Sequence, residues 1–152
     1  MAISVTAFDI AQRFIGVTEV NGATSNPQVL AMLRLDNPSV ADDEVPWCSA
    51  FANYVAWLLR LPRSKSLMAR SWLAVGRAVS IQEAQVGFDV VILKRGLGEQ
   101  LGPEVLNAPG HVGFFAGWQD GKIMLLSGNH SNLVGVSSYP VEQILGVRRL
   151  MA

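Results

Sequence analysis

The chain predicts an α+β domain in which N-terminal helices pack on an antiparallel β-sheet, and three observations carry that expectation. Apolar residues recur at helical spacing as far as Val75, whereas short β-branched and aromatic runs separated by turn residues follow from Phe88 onward. Half of the 152 residues are apolar and 16% are charged, which suits one compact core and excludes a disordered chain. A block of helices followed by a block of strands is the pattern of segregated α and β layers.

The elements follow in order. Thr6 is a good N-cap for a first helix with apolar residues at Phe8, Ile10, Ala11, Phe14 and Ile15, and Gly16 stops it. A loop over Asn21-Gly22-Ala23-Thr24-Ser25-Asn26 leads to Pro27, which opens a short second helix through Val29, Leu30 and Leu33. The stretch from Asp36 to Pro46 reads as loop, with Asp42-Asp43-Glu44 as solvated charges near a helix start. From Trp47 the stripe Phe51, Tyr54, Val55, Leu58 and Leu59 is helical and ends before Pro62. A fourth short helix is expected over Lys65 to Val75, stopped by Gly76.

Strands are then expected at Phe88–Leu93, His111–Gly117, Lys122–Ser127, Val134–Tyr139 and Leu145–Leu150, arranged as an antiparallel meander. No repeat or linker divides the chain, so residues 1–152 are expected to form a single catalytic domain.

Twelve basic residues balance twelve acidic ones, which removes any electrostatic case for nucleic acid or an anionic membrane surface. The longest apolar run, near Met124 to Leu126, is far too short for a bilayer span, so no stable membrane insertion is expected. The start Met1-Ala2-Ile3-Ser4 lacks the basic and apolar regions of a secretory signal, so synthesis in the cytoplasm is expected. One cysteine cannot form an internal disulfide.

That cysteine, Cys48, opens the central helical stripe. A helix N-terminus favours a thiolate through its unpaired N–H groups and positive dipole end. His111, between Gly110 and Val112 at a strand start, can then take the thiol proton and return it to a leaving group. Cys48, His111 and His130 could supply three zinc ligands, but none has paired metal-ligand spacing, so neither metal nor cofactor is expected.

In their order along the chain, Pro46-Trp47-Cys48-Ser49-Ala50-Phe51, Ala69-Arg70-Ser71-Trp72-Leu73, Phe88-Asp89-Val90-Val91, Gly110-His111-Val112-Gly113-Phe114 and Ser127-Gly128-Asn129 resemble the papain-like NlpC/P60 and CHAP superfamily of cell-wall cysteine hydrolases. The likeness is strongest to short single-domain members among phage lysins and runs from about Gly16 to Arg149. It implies a papain-like fold and cleavage of a peptidoglycan amide bond through a cysteine acyl-enzyme, as endopeptidase or amidase. Carried over by position, Cys48 is the nucleophile, His111 the base and Asn129 the residue that orients the imidazole. Ser127 departs from the pattern, since many CHAP domains carry glutamate there, and His130 rivals Asn129.

Around this core, Trp47 is expected to border the substrate cleft with one face because its neighbour is the nucleophile. Arg70, together with Lys94 and Arg95, is the candidate contact for stem-peptide carboxylates. The backbone N–H of Cys48 would serve an oxyanion. The expected partner is peptidoglycan, met as a monomer in the periplasm. An exported antibacterial effector of the same fold, with an immunity protein as partner, is one alternative, and an acyltransferase or transglutaminase-like enzyme is another.

Overall fold

A computed structural model describes residues 3–20, 25–43, 45–95 and 101–151; the expected loop residues Asn21 to Thr24 and Glu44 lie outside these. Helix α1 (Ala7–Gln12) begins with a reciprocal cap. Asp9 N–H donates to Thr6 Oγ1 at 3.1 Å, and Thr6 N–H donates to the Asp9 carboxylate at 2.8 Å. Helix α2 (Pro27–Arg34) starts on Asn26, whose side-chain oxygen accepts the Gln28 N–H. Helix α3 (Cys48–Leu58) starts on Trp47, which offers no side-chain cap, and this leaves the first N–H groups of α3 without that partner.

The expected fourth helix is instead a 3-10 segment at Ala69–Ala74. Local serines explain the difference: Ser66 Oγ accepts the Met68 N–H and Ser71 Oγ donates to the Met68 carbonyl, bonds that compete with an α-helical ladder.

Six strands follow: β1 (Arg77–Val79), β2 (Asp89–Lys94), β3 (Gly110–Gln119), β4 (Lys122–His130), β5 (Leu133–Tyr139) and β6 (Ile144–Arg149). They form one antiparallel sheet in the order β1-β6-β2-β3-β4-β5. Strands β2 to β5 are the expected meander. Strand β6 breaks it by returning to the far side of β2, where it also pairs with β1, a three-residue edge strand too short and exposed to leave a sequence signal. The return is fixed by Arg149, whose Nε and Nη2 donate to the two carboxylate oxygens of buried Asp89 at 2.7 and 2.8 Å.

Alternation along the strands sends two sets of side chains to opposite faces. Val90, Ile92, Val112, Phe114 and Leu126 join the core beneath the helices, where Phe51 of α3 meets Phe114 edge to face at 6.2 Å. Val91, Leu93, Phe115, Ile123 and Leu125 form a smaller cluster on the other face.

Ladder pairing between β3 and β4 runs from Gln119–Lys122 to Phe114–Leu126 and no further, so the His111 end of β3 and the Asn129 end of β4 separate. The first turn of α3 is seated here. A Cβ on Gly128 would lie 2.7 Å from Phe51 Cβ and 2.9 Å from the Trp47 ring, so glycine is what lets the helix approach β4. Neither a helix backbone nor a buried indole yields cheaply, so Gly128→Ala is expected to destabilise the protein by about 1–3 kcal/mol. Thermal unfolding followed by circular dichroism should show a midpoint lowered by several degrees; an unchanged midpoint would mean that α3 is not held by this contact.

Candidate active site

Cys48 is the first residue of α3 and is only 3% exposed, with its side chain at the edge of a hollow. Burial pushes its thiol up from the ordinary value; the backbone N–H groups of Val112, Ser49 and Cys48 itself, and the charge of Arg95, act the other way. These donors are supplied by two elements. Cys48 and Ser49 contribute the uncapped helix start, and Val112 lies on β3 beyond the end of its pairing with β4. The thiol therefore touches the backbone of the residue next to His111.

His111 is buried on β3, and its Nε2 lies 2.9 Å from Ser127 Oγ on β4. Gly113 makes room for that serine, since a Cβ there would sit 2.8 Å from Ser127 Cβ. With Nε2 bonded to Ser127, Nδ1 is the imidazole nitrogen with no hydrogen-bond partner among the described residues. Burial holds the imidazole down at about 4, an effect to which the charges of Arg95 and His130 add. Cys48 and His111 are thus both neutral near pH 7.

The side chain bonded to the imidazole is that of Ser127, not that of Asn129, the expected orienting residue. The strand is irregular there: its pairing with β5 shifts between Ser127 and His130, and Asn129 has φ +56°. Ser131 and Asn132 also have positive φ and make a tight two-residue hairpin, so simple alternation did not reveal which side chain reaches the imidazole. Asn129 and His130 instead line a polar hollow of about 390 Å³ with Lys94, Arg95, His111 and Tyr139. The Tyr139 ring lies 5.8 Å from the His111 ring, and its hydroxyl is 3.4 Å from His130 Nδ1. The one sequence signal for Ser127 was its place two residues before Asn129; Tyr139 had none.

Two further expectations are corrected. Trp47 is wholly buried rather than bordering a cleft, because its ring packs on Gly128 and its indole N–H donates to Glu19 at 2.8 Å. Arg70 is also wholly buried; it donates to the carbonyls of Pro109, Gly102 and Val105, so it holds the segment 101–110 instead of facing a substrate. That segment supplies Asn107, Ala108 and Pro109 to an apolar hollow of about 510 Å³ beside Cys48, whose opposite wall is Leu67, Met68 and Ala69. Exposed Arg95 lines both hollows, and Lys94 lines the polar one.

A buried polar network fixes the Leu67–Ala69 wall. Ser49 Oγ donates to the Ser66 carbonyl at 2.6 Å and accepts the Trp72 indole N–H at 2.9 Å, while Asn53 Oδ1 accepts the Lys65 N–H. Asp43, expected as a solvated charge, is buried and staples the loop before Cys48 by accepting the N–H groups of Val20 and Asn26. A larger hollow of about 860 Å³, around Trp57, Arg60 and Lys65, lies at the other end of α3 and contains neither thiol nor imidazole. Among the described residues no three His, Cys, Asp or Glu side chains converge as a metal site.

No family model matches the chain, and no curated protein matches its sequence. Among solved structures, NlpC1 from Trichomonas vaginalis matches with a TM-score of 0.58 at 13% identity, over 99% of this chain and 46% of that one. The likeness is one of fold. The chain spans less than half the length of that protein, and the papain-like α+β arrangement is what they share.

Two outcomes follow from the site's burial. Below pH 6.5 the unfolded chain protonates His111 while the folded chain resists until about 4, so stability is lost as pH falls through this window, by about 3 kcal/mol in all. Urea midpoints across that range should fall more steeply for the wild type than for His111→Gln; parallel curves would contradict the burial of the imidazole. Arg70→Met leaves three carbonyls without their donor and should cost about 3 kcal/mol, with faster amide exchange confined to the segment 101–110. Unchanged stability would return Arg70 to the role of a ligand contact.

Proposed function

We propose that the chain is a cysteine amidohydrolase that cleaves an amide bond in the stem peptide of peptidoglycan. The observation that carries this reading is Cys48 at an uncapped helix start, against the strand whose His111 is tied through Nε2 and free at Nδ1. The fold likeness to an NlpC protein supports it.

In the proposed reaction, His111 Nδ1 takes the proton of Cys48 as the sulfur attacks the amide carbon. Charge developing on the carbonyl oxygen is met by the N–H of Cys48, with Ser49 or Val112 as second donor. Collapse expels the amine, which receives the proton from His111, and leaves a thioester. Water, deprotonated by the same imidazole, releases the acid. The two hollows suit a peptide with an apolar portion beside Met68 and a carboxylate near Arg95 and Lys94, as a stem peptide provides. On this reading the protein works in the periplasm as a phage lysin does, and an exported antibacterial effector would use the same chemistry.

The test is digestion of purified sacculi with mass spectrometry of the released fragments. Wild type should release peptides with a new carboxyl end, EDTA should not inhibit, and Cys48→Ala should reduce release by at least roughly a thousandfold. Retained activity in Cys48→Ala would sink the thiol mechanism. Products joined to an added amine would point to acyl transfer.

A further inference from the structure

Balanced overall charge conceals a segregation. Residues 45–82 contain five cations, Arg60, Arg63, Lys65, Arg70 and Arg77, and no Asp or Glu. The first three gather around the hollow of about 860 Å³ at the C-terminal end of α3, where Trp57, Leu58 and Leu61 supply apolar wall. Arg63 is paired with Asp36. The exposed side chains of Arg60 and Lys65 have neither ion pair nor hydrogen bond among the described residues.

Both uncommitted cations stand on backbone that glycine would adopt more cheaply. Helix α3 ends in a Schellman turn, in which the Arg60 N–H donates to the Trp57 carbonyl at 3.1 Å and the Leu61 N–H to the Ala56 carbonyl at 2.9 Å. Arg60 takes the left-handed position of that turn, with φ +56°, which any side chain with a Cβ strains. Lys65 has φ +58°, and its N–H is held by Asn53 Oδ1 at 3.0 Å. The negative end of the α3 dipole favours a cation at Arg60, but it accounts for neither Lys65 nor an exposed indole in the same hollow. That indole is anchored: its ring lies 5.7 Å from the Tyr54 ring, which meets Phe14 edge to face at 5.9 Å.

We propose that this hollow binds an anionic sugar unit, whose apolar ring face lies on the Trp57 indole and whose carboxylate or phosphate is held by Arg60 and Lys65. The number of charges selects the ligand. Attraction to an anionic membrane takes clusters of about four to eight cations, and nucleic acid takes about six to ten phosphate contacts. Two uncommitted cations match one anionic group. A purely apolar ligand leaves both cations unused, and a bare anion leaves the indole unused. The walls of the hollow are themselves exposed, so the hydroxyls of a sugar stay in water.

The site stands apart from the thiol chemistry. Trp57 follows Cys48 on the same helix at a distance of about 14 Å along its axis. On the peptidoglycan reading one polymer would reach both places, and occupation of the hollow would raise the concentration of scissile bonds at the thiol.

The test is titration of nitrogen-labelled wild type, read at the Trp57 indole N–H, which Trp57→Phe assigns among the four indole signals. Glucuronic acid and glucose-6-phosphate should each shift that signal saturably, with Kd on the order of 1 mM, and the tighter of the two identifies the anion as carboxylate or phosphate. Glucose and inorganic phosphate should each bind at least about tenfold more weakly, as should either anionic sugar to Lys65→Gln, Trp57→Ala or Arg60→Gly. Arg60→Gly should also keep or raise the thermal midpoint, because glycine suits the left-handed turn, so its lost binding reports recognition and not folding. The proposal is overturned by no shift with either anionic sugar, by equal binding of glucose or of inorganic phosphate, or by undiminished binding in Lys65→Gln. A shift produced only by phosphatidylglycerol vesicles would assign the hollow to a membrane surface and overturn the sugar site. None of these probes contains an amide bond, so the outcome is independent of whether sacculi are cleaved.

Discussion

The candidate site depends on the seating of the α3 N-terminus in the gap where β3 and β4 part. Three local conditions permit it. The ladder between the strands ends at Phe114–Leu126, Gly128 presents no Cβ to the helix, and Trp47 fills the remaining space with its ring while its N–H reaches Glu19. Each is a packing requirement, and together they bring an uncapped helix start against the Val112 N–H. The usual cost of an uncapped start, orphaned donors, becomes the means by which backbone dipoles converge on one sulfur.

Most of the fold was legible because its signals are local. Thr6 and Asp9, Pro27, the α3 stripe and the alternating runs of β2 to β5 each announce themselves within a few residues. What was not legible depends on distant partners. Strand β6 crosses back because Arg149 finds Asp89, and β1 exists only because β6 is there to pair with it. The same limit applies to the site. Cys48 and His111 were named from their surroundings in sequence, but the residue bonded to Nε2 depends on a bulge at Asn129 that no periodicity encodes.

Charge was the least legible quantity. Trp47, Arg70 and Asp43 were assigned by residue type and neighbourhood, yet all three are wholly buried and act as staples. A guanidinium that donates to three carbonyls is indistinguishable in sequence from one that awaits a carboxylate. The result is that the apolar hollow beside Cys48 is walled by a segment held from behind by one cation, Arg70, while another, Arg95, lines the hollow itself.

Replacing a carboxylate by a hydroxyl behind the histidine has an electrostatic consequence that unifies these features. A glutamate at the Ser127 position would stabilise the imidazolium and favour a thiolate–imidazolium pair. Serine supplies a hydrogen bond without charge, and the nearby charges of Arg95 and His130 are of the wrong sign to help. Burial then prevails on both groups, raising the thiol and lowering the imidazole, so both rest neutral, and on the proposed mechanism charge would separate only as the bond forms. Backbone N–H groups fixed at the sulfur stabilise that charge without reorganising, which is the condition under which a dry site gains most from preorganised dipoles. Serine in place of a carboxylate therefore leaves the imidazole bonded but without a fixed negative charge behind it.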